Sequence, residues 1–286
     1  MRKAVLTISL LLIATASAQS QLVSFKLTGG SSWINGDDYN RGIAGENQYI
    51  KDTSLAMTGS HKELKNGLNF LAEIIVSANK HLAVGFGGGY YHLGNESAVR
   101  VQGVLSGVPF DSESTYKPRL SVIPLFVNLH YLMRLGSKFN LDIFAGPLFQ
   151  VIQFNFTNGS TMSISSVTQT LTFRSSTTAL GGQAGLGLNF KIFTGVALVV
   201  EGCYRYAKIS NFMGNWAVIG NSASGPINQS SAEYYFWAYD DTSGSGYPRT
   251  GFFDNNGPKG GSVSGARKAD INLSGTTVSG GIKFSF

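Results

Sequence analysis

The sequence lacks several features that commonly guide a functional assignment. It has one cysteine, Cys203, among 286 residues, so no disulfide can form within the chain. After the N-terminal segment, no apolar run approaches the roughly 20 residues that a membrane helix needs. The formal net charge of +6 is modest and scattered, without a run of Lys and Arg. These absences exclude a disulfide-stapled domain and a helical membrane protein, and they predict no nucleic-acid partner.

Glycine and aromatic residues, in contrast, are abundant. The chain has 36 Gly, 19 Phe, 12 Tyr and 3 Trp. Glycine in this quantity disfavours helices, whereas aromatic side chains favour strands. The composition therefore predicts an all-β protein.

The first 18 residues have the order of a secretory signal peptide. Arg2 and Lys3 precede an apolar run over about 4–14, and Ala16-Ser17-Ala18 follows that run. This order predicts cleavage after Ala18, so that Gln19 begins the mature chain. A buried N-terminal helix is the alternative. No cysteine follows the apolar run, which argues against a lipid anchor.

Eight later segments alternate with a period of two, the pattern of a strand with two different faces. In 180–192, for example, Leu186, Leu188 and Phe190 lie on one face and Gly187 and Asn189 lie on the other. The segments are roughly 22–32, 66–78, 82–92, 119–134, 141–153, 178–192, 196–207 and 271–286.

The connections between these segments are alternately short and long. Tight turns are predicted near 79–80, 136–138 and 193–195, whereas the other links span about 24 to 60 residues. This alternation is typical of an antiparallel up-and-down barrel. We therefore predict an eight-stranded transmembrane β-barrel with short periplasmic turns and long extracellular loops. Ten strands are the alternative, if 98–105 and 231–240 also cross the membrane.

The polarity of the strand faces favours a membrane barrel over a soluble lipocalin-type barrel. One face carries charged and small residues such as Gly85 and Gly87, and the other carries large aliphatics with aromatics toward the ends. A lipocalin directs its apolar faces inward, whereas an outer-membrane barrel directs them toward lipid. We expect a bacterial outer-membrane protein with a signal peptide over 1–18 and one barrel domain over 19–286.

Four stretches carry a resemblance to a known family. They are IPLFVNLHYLM (123–133), NLDIFAGPLFQVI (140–152), GGQAGLGLNFKI (181–192) and the last strand. With them the chain resembles the PorT-type outer membrane protein β-barrel domain family of Bacteroidota, among the OmpA/OmpX-like small barrels. The resemblance implies a C-terminal assembly signal that the barrel-assembly machinery recognises. The residues that match this signal are Ser279, Gly281, Phe284 and Phe286.

Charged residues on the inward strand faces are the candidate interior site. An eight-stranded barrel is just wide enough to be filled by side chains, and charges buried there must pair. We expect Glu73 and Glu201 to oppose Lys26, Lys283 or Arg205 in a polar plug; a narrow conducting path lined by the same residues is the alternative. The predicted interior network comprises Lys26, Glu73, His130, Glu201, Arg205 and Lys283, with Asp142 on the same faces.

No catalytic, metal or cofactor motif is evident. None of the four His residues has Ser two positions later, and none has zinc-type spacing to Cys or carboxylates. GFGGGY (85–90) lacks the third Gly of a dinucleotide fingerprint. Asp37-Asp38 in a loop is typical of a solvated turn. The chain is therefore predicted not to be an enzyme, and no cofactor is expected.

The long last loop, about 208–270, is unusually aromatic. A strand extension above the membrane, an aromatic lid over the barrel mouth and a recognition surface are three explanations. The aromatic residues concerned are Tyr234, Tyr235, Phe236, Trp237 and Tyr239.

We thus expect a monomeric, non-enzymatic outer-membrane barrel with a structural or surface-interaction role through its loops. Outer-membrane lipid, the assembly machinery and a surface ligand or envelope protein are the expected partners. A small channel for solutes or hydrophobic compounds is one alternative. An accessory component of a secretion or motility machine is another, and it comes from the family resemblance.

Overall fold

The structure, a computed structural model, describes residues 23–53, 56–105, 108–163, 167–210, 212–221, 227–240, 246–253 and 257–286. The predicted cleavage site at Ala16, Ala18 and Gln19 lies outside this range. The described elements, in chain order, are β1 (Val23–Ile34), α1 (Asp37–Thr53), β2 (Ala56–Gly59), β3 (Asn66–Ser77), β4 (Leu82–Gly94), β5 (Ser97–Leu105), β6 (Val108–Arg134), β7 (Phe139–Met162), β8 (Val167–Phe193), β9 (Val196–Ser210), β10 (Met213–Gly220), β11 (Ile227–Asp240), β12 (Gly246–Phe253), β13 (Val263–Lys268), β14 (Asp270–Asn272) and β15 (Gly275–Ser285).

Eight of these strands close into an antiparallel ring. The order around the ring is β1, β3, β4, β6, β7, β8, β9 and β15, and β15 pairs again with β1. The ring strands are the eight that sequence alternation predicts, so the eight-stranded barrel is confirmed. Closure leaves no free sheet edge in the ring, as a sheet in lipid requires.

Three ring strands are much longer than a membrane crossing. β6, β7 and β8 have 27, 24 and 27 residues, and 24 residues of strand extend about 80 Å, whereas a crossing takes about 10 residues. The predicted loop of about 24 residues between 153 and 178 is therefore wrong. Most of that segment is the hairpin of β7 and β8, which continues in register up to Met162 and Val167. The alternation of apolar and polar residues in this hairpin is weak because Thr, Ser and Asn occupy both faces of its strands.

Further strands widen this extension beyond the ring. β2 and β5 add to the long part of β6, and β10, β11, β12 and β13 add to the long part of β8. The segments that could have made a ten-stranded barrel thus pair outside the ring. We name the assembly of β2, β5, β10, β11, β12 and β13 with 108–118, 154–162 and 167–177 the loop-end sheet.

Sequence composition fails to predict α1. Two acidic residues, Asp37 and Asp38, begin the helix and Lys51 lies in its last turn, which complements the helix dipole. Gly42 and Gly45 share the face that packs on β12; a Cβ on Gly45 would lie 2.0 Å from the carbonyl oxygen of Pro248. Glycine therefore permits close helix–sheet packing here. Among the described residues, no helix is long and apolar enough to cross a membrane.

The outward face of the ring is a belt of exposed apolar side chains. On β6, Ile123, Leu125, Val127 and Leu129 are 41–59% exposed, and Tyr131 lies at the turn end of this row. From residue 121 to residue 131 the strand extends about 34 Å, which is about 26 Å of membrane depth at a tilt of about 40°. The lipid-facing band of outer-membrane barrels is about 25 Å tall.

Candidate functional site

A buried cluster of charges fills the barrel near its turn end. Lys26 lies directly opposite Glu73 in the pairing of β1 and β3, and its Nζ is 2.7 Å from Glu73 Oε2. The same Nζ donates to Glu201 Oε2 on β9 at 2.8 Å. All three side chains are at most 6% exposed. Of the three cations expected to oppose these carboxylates, Lys26 contacts both and so links β1, β3 and β9 through the interior.

His130 extends the cluster to a third carboxylate. Its Nε2 is 2.9 Å from Glu73 Oε1, and its Nδ1 is 2.9 Å from Asp142 Oδ1. Gly85 makes room for this contact, because a Cβ there would lie 2.2 Å from Glu73 Oε1 and 2.6 Å from His130 Nε2. The histidine thereby links β3, β6 and β7.

Two amides that sequence reasoning did not select complete the cluster. Asn128 Nδ2 donates to Glu73 Oε1 at 2.9 Å, and Gln183 Nε2 donates to Asn128 Oδ1 at 3.0 Å. Thr28 Oγ1 donates to Glu201 Oε1 at 3.3 Å. These residues share the inward faces of the predicted charges, so strand alternation could have identified them.

Arg205 and Lys283 are placed differently from the other predicted members. The Arg205 guanidinium carbon lies 3.8 Å from the centre of the Tyr91 ring, a cation–π contact away from the carboxylates. Lys283 lies opposite Lys26 in the pairing of β1 and β15 and is half-buried. Within the described part of the chain, Lys283 forms no ion pair.

Little open space remains beside the charges. A cavity of about 20 Å³ lies between Lys26, Glu73, Tyr91, Phe144 and Glu201. A site of this volume holds about one water molecule. The side chains around this cavity therefore pack closely.

An aromatic cluster lies at the mouth of the barrel, on the loop side of the charges. Phe154 is central, with ring centres of Tyr39, Phe212 and Tyr234 at 6.0, 5.8 and 6.4 Å. Phe252 stacks on Phe173 at 3.8 Å. Because Tyr39 belongs to α1 and Phe212, Tyr234 and Phe252 belong to the last loop, this cluster joins the barrel interior to the elements over its mouth.

The helix over the mouth is held by polar contacts. Both Asp38 oxygens accept hydrogen bonds from Arg267, at 2.6 and 2.7 Å, and one also accepts from the Asp270 backbone N–H at 2.8 Å. Tyr247 Oη donates to Asp52 at 2.9 Å. The expectation that Asp37-Asp38 is a solvated turn is therefore wrong, since Asp38 is buried and fixes α1 to the last loop.

The five loop aromatics lie in strand β11. Tyr234, Tyr235 and Phe236 are buried, and Trp237 and Tyr239 are half-buried. Tyr235 Oη donates to Glu233 at 2.7 Å, and Glu233 also pairs with Lys268 at 2.7 Å. The aromatic stretch is thus part of the loop-end sheet and of its packing onto the mouth.

The four matched C-terminal residues lie on or just after β15. Ser279 is buried and its Oγ donates to Asn69 Oδ1 at 3.2 Å, and Gly281 lies close to the Leu27 backbone of β1. Phe284 is half-buried, whereas Phe286 is 79% exposed at the turn end. These positions describe a barrel-closing strand; recognition by assembly machinery stays a prediction.

Comparison with known proteins gives similarity of overall architecture. No protein-family model matches the chain, and no curated protein matches its sequence. The outer membrane protein OprG of Pseudomonas aeruginosa aligns over 93% of this chain and 95% of its own, with 9% identity and a TM-score of 0.39. A major outer membrane protein of Thermus thermophilus aligns over 94% and 100%, with 12% identity and a TM-score of 0.34.

A third solved structure bears on the expectation that the chain is not an enzyme. The outer membrane protease OmpT of Escherichia coli aligns over 94% of this chain and 98% of its own, with 8% identity and a TM-score of 0.32. Because a barrel of similar architecture is a protease, the prediction of a non-enzyme is contradicted and is withdrawn. Similarity at this level assigns no activity to this chain.

The membrane location follows from the surface of the barrel itself. A closed ring with an apolar belt of about 26 Å outside and charged side chains inside has the polarity of an outer-membrane barrel. The inverted arrangement of a lipocalin is excluded by the exposed aliphatic rows. The expected location in the bacterial outer membrane is therefore confirmed.

Proposed function

We propose that the protein is a sealed outer-membrane barrel that holds the loop-end sheet at the cell surface as an interaction platform. The observation that carries this proposal is the filled interior. If the barrel is closed to solutes, its function depends on the part of the protein outside the membrane, which can contact other molecules.

Two layers support the sealing. The lower layer is the ion-paired cluster around Lys26, in which the nearest cavity holds about one water molecule. The upper layer is the aromatic cluster around Phe154, over which α1 packs. Opening the lower layer separates buried charges at a cost of several kcal/mol.

The size and order of the loop-end sheet support the platform. The loop-end part of β7, 154–162, has nine residues, so about 30 Å of this strand lies beyond the membrane. Paired strands on both sides of the β6–β8 extension make the sheet broad. A wide, hydrogen-bonded surface of this kind is preorganised for binding a partner without first ordering a loop.

Planar-bilayer recording tests the sealing. The reconstituted protein should show no stable openings, whereas Glu73→Ala should add leakage by removing one side of the lower layer. Stable openings of the unaltered protein favour the small-channel alternative and contradict the proposal.

Labelling of intact cells tests the platform. On a Cys203→Ser background, Ser163→Cys at the tip of the β7–β8 hairpin should react with a membrane-impermeant maleimide. The matched variant Ser137→Cys, in the turn between β6 and β7, should react only after the outer membrane is permeabilised. The reverse result places the sheet in the periplasm and contradicts a surface role.

The accessory role in a secretion or motility machine is a narrower form of the same proposal. It rests on the resemblance to PorT-type proteins and requires a stable envelope partner. Mild-detergent purification with and without chemical cross-linking tests it, and recovery of the chain alone in both conditions contradicts it.

A further inference from the structure

The outward faces of β6, β7 and β8 change character in register just beyond the lipid-facing belt. Leu125, Phe149 and Leu180 are paired neighbours in one apolar row, with exposures of 50%, 37% and 79%. Three rows farther from the turn end, the same faces carry Arg119 and Arg174. The change from lipid-facing to polar side chains therefore occurs at one level on three adjacent strands, and the polar side chains on β6 and β8 are cationic.

A neutral polar row separates the two levels. Ser121, Gln153 and Ser176 are paired neighbours two residues below the arginines. Tyr90 on β4 is 43% exposed and its Oη lies 2.9 Å from Ser121 Oγ. Tyrosines at this depth mark the membrane–water interface of barrels. The arginines thus lie about 7 Å along the strand from that interface.

The cationic row forms a shallow site. Arg119, Asn155 and Arg174 are paired across the three strands, so the two arginine Cα atoms are about 10 Å apart with an amide between them. Lys117 lies in the next row, and the depression that these residues line has a volume of about 460 Å³. Both arginines are exposed, and neither forms an ion pair with a residue that the structure describes.

One acidic side chain lies at the margin of this site. Glu96 pairs with Lys117 Nζ at 2.7 Å and so offsets the lysine charge. The excess positive charge therefore belongs to Arg119 and Arg174. Guanidinium groups bind phosphate oxygens in bidentate geometry, which suits them to this ligand better than an ammonium group.

We propose that Arg119, Asn155 and Arg174 bind the phosphate of an anionic lipid headgroup in the outer leaflet. The apolar rows below the site receive the acyl chains of the same molecule, which distinguishes a lipid from a free anion. The inference rests on the membrane placement of the barrel and does not depend on whether the interior is sealed.

Native mass spectrometry of the protein in detergent micelles tests this site, with phosphatidic acid as the anionic probe and phosphatidylcholine, a zwitterion with no net charge, as the reference. Each basic side chain at a membrane surface contributes about fivefold in affinity, so Arg119→Gln with Arg174→Gln should weaken retention of phosphatidic acid about 30-fold. Retention of phosphatidylcholine should not change. The matched control is Lys51→Gln with Lys259→Gln, which removes two exposed positive charges elsewhere at the loop end and should leave both lipids unaffected.

Three results overturn the inference. They are unchanged retention by the double arginine variant, equal retention of the two lipids by the unaltered protein, and displacement of phosphatidic acid by an equal concentration of inorganic phosphate. The last result identifies a simple anion site. Heat-modifiable gel migration verifies folding, and if the double variant does not fold, each single variant should show a loss of about fivefold. A conducting barrel that retains phosphatidic acid contradicts the sealing proposal alone.

Discussion

Removing the Glu73 carboxylate is the most direct perturbation of the barrel interior. The carboxylate contacts Lys26 Nζ at 2.7 Å, His130 Nε2 at 2.9 Å and Asn128 Nδ2 at 2.9 Å, and the side chain is 2% exposed. Breaking a buried ion pair costs about 3–5 kcal/mol. The lower end of this range applies to Glu73→Ala because Lys26 keeps its ion pair with Glu201. Loss of the hydrogen bond from Asn128 adds about 1 kcal/mol. Glu73→Ala should therefore lower the free energy of unfolding by about 4 kcal/mol.

Urea unfolding of the folded protein in detergent or lipid vesicles measures this loss, with tryptophan fluorescence and heat-modifiable gel migration as parallel readouts. Glu96→Ala is the matched control, because the Glu96 side chain is 63% exposed and its ion pair with Lys117 is on the surface. Surface pairs contribute about 0–1 kcal/mol. Glu73→Gln keeps the side-chain volume and separates loss of charge from creation of a cavity.

The reasoning is refuted if Glu73→Ala and Glu96→Ala destabilise the barrel by the same amount. An equal effect means that Lys26 and His130 find new partners or water at no cost, so the interior is not a tightly paired layer. If Glu73→Ala is strongly destabilised but adds no leakage in planar bilayers, the aromatic layer seals the barrel by itself.

Three further predictions concern separate layers of the molecule. Lys26→Met leaves Glu73 and Glu201 without their shared cation, so it should destabilise the barrel more than Glu73→Ala in the same urea titration; a smaller effect contradicts the role of Lys26 as the link. Gly45→Val cannot keep the contact with the Pro248 carbonyl, so backbone hydrogen exchange of α1 should accelerate while gel migration of the barrel stays unchanged; unaltered exchange argues against close packing of α1. His61 stacks on Tyr116 at 3.7 Å outside the membrane, and burial lowers its pKa to about 4. The unfolded chain takes up a proton at His61 near pH 6.5, whereas the folded chain does so only near pH 4. The free energy of unfolding of the unaltered protein, compared with that of His61→Phe, should therefore fall by about 3 kcal/mol between pH 7.5 and pH 4. If the difference between the two proteins stays constant across this range, His61 is not a buried neutral histidine.

The strands of the ring were predictable because each one separates lipid from a polar interior. That contrast imposes a strict period of two, as in Leu186, Leu188 and Phe190 opposite Gly187 and Asn189. Beyond the membrane the contrast disappears, and water or protein can contact either face. The long hairpin of β7 and β8 therefore looked like a loop, although its ladder continues for about ten more pairs.

The helix α1 was missed for a different reason. Its sequence contains Gly42 and Gly45, which disfavour a helix in isolation. In the folded protein these glycines permit contact with β12, and Asp38 gains Arg267 as a partner from a residue 229 positions away. Tertiary contacts thus override a weak local preference, and composition could not reveal them.

By itself the sequence determined the barrel, its location and the set of charges on its inward faces, because those follow from strand periodicity and from the cost of exposing charge to lipid. Only the tertiary structure decided which charges meet. Lys26 reaches both Glu73 and Glu201, whereas Arg205 stacks on Tyr91. Which charges pair inside a closed ring depends on the stagger of the strands and on how far each side chain extends across the barrel. Neither quantity can be read from the sequence of a single strand.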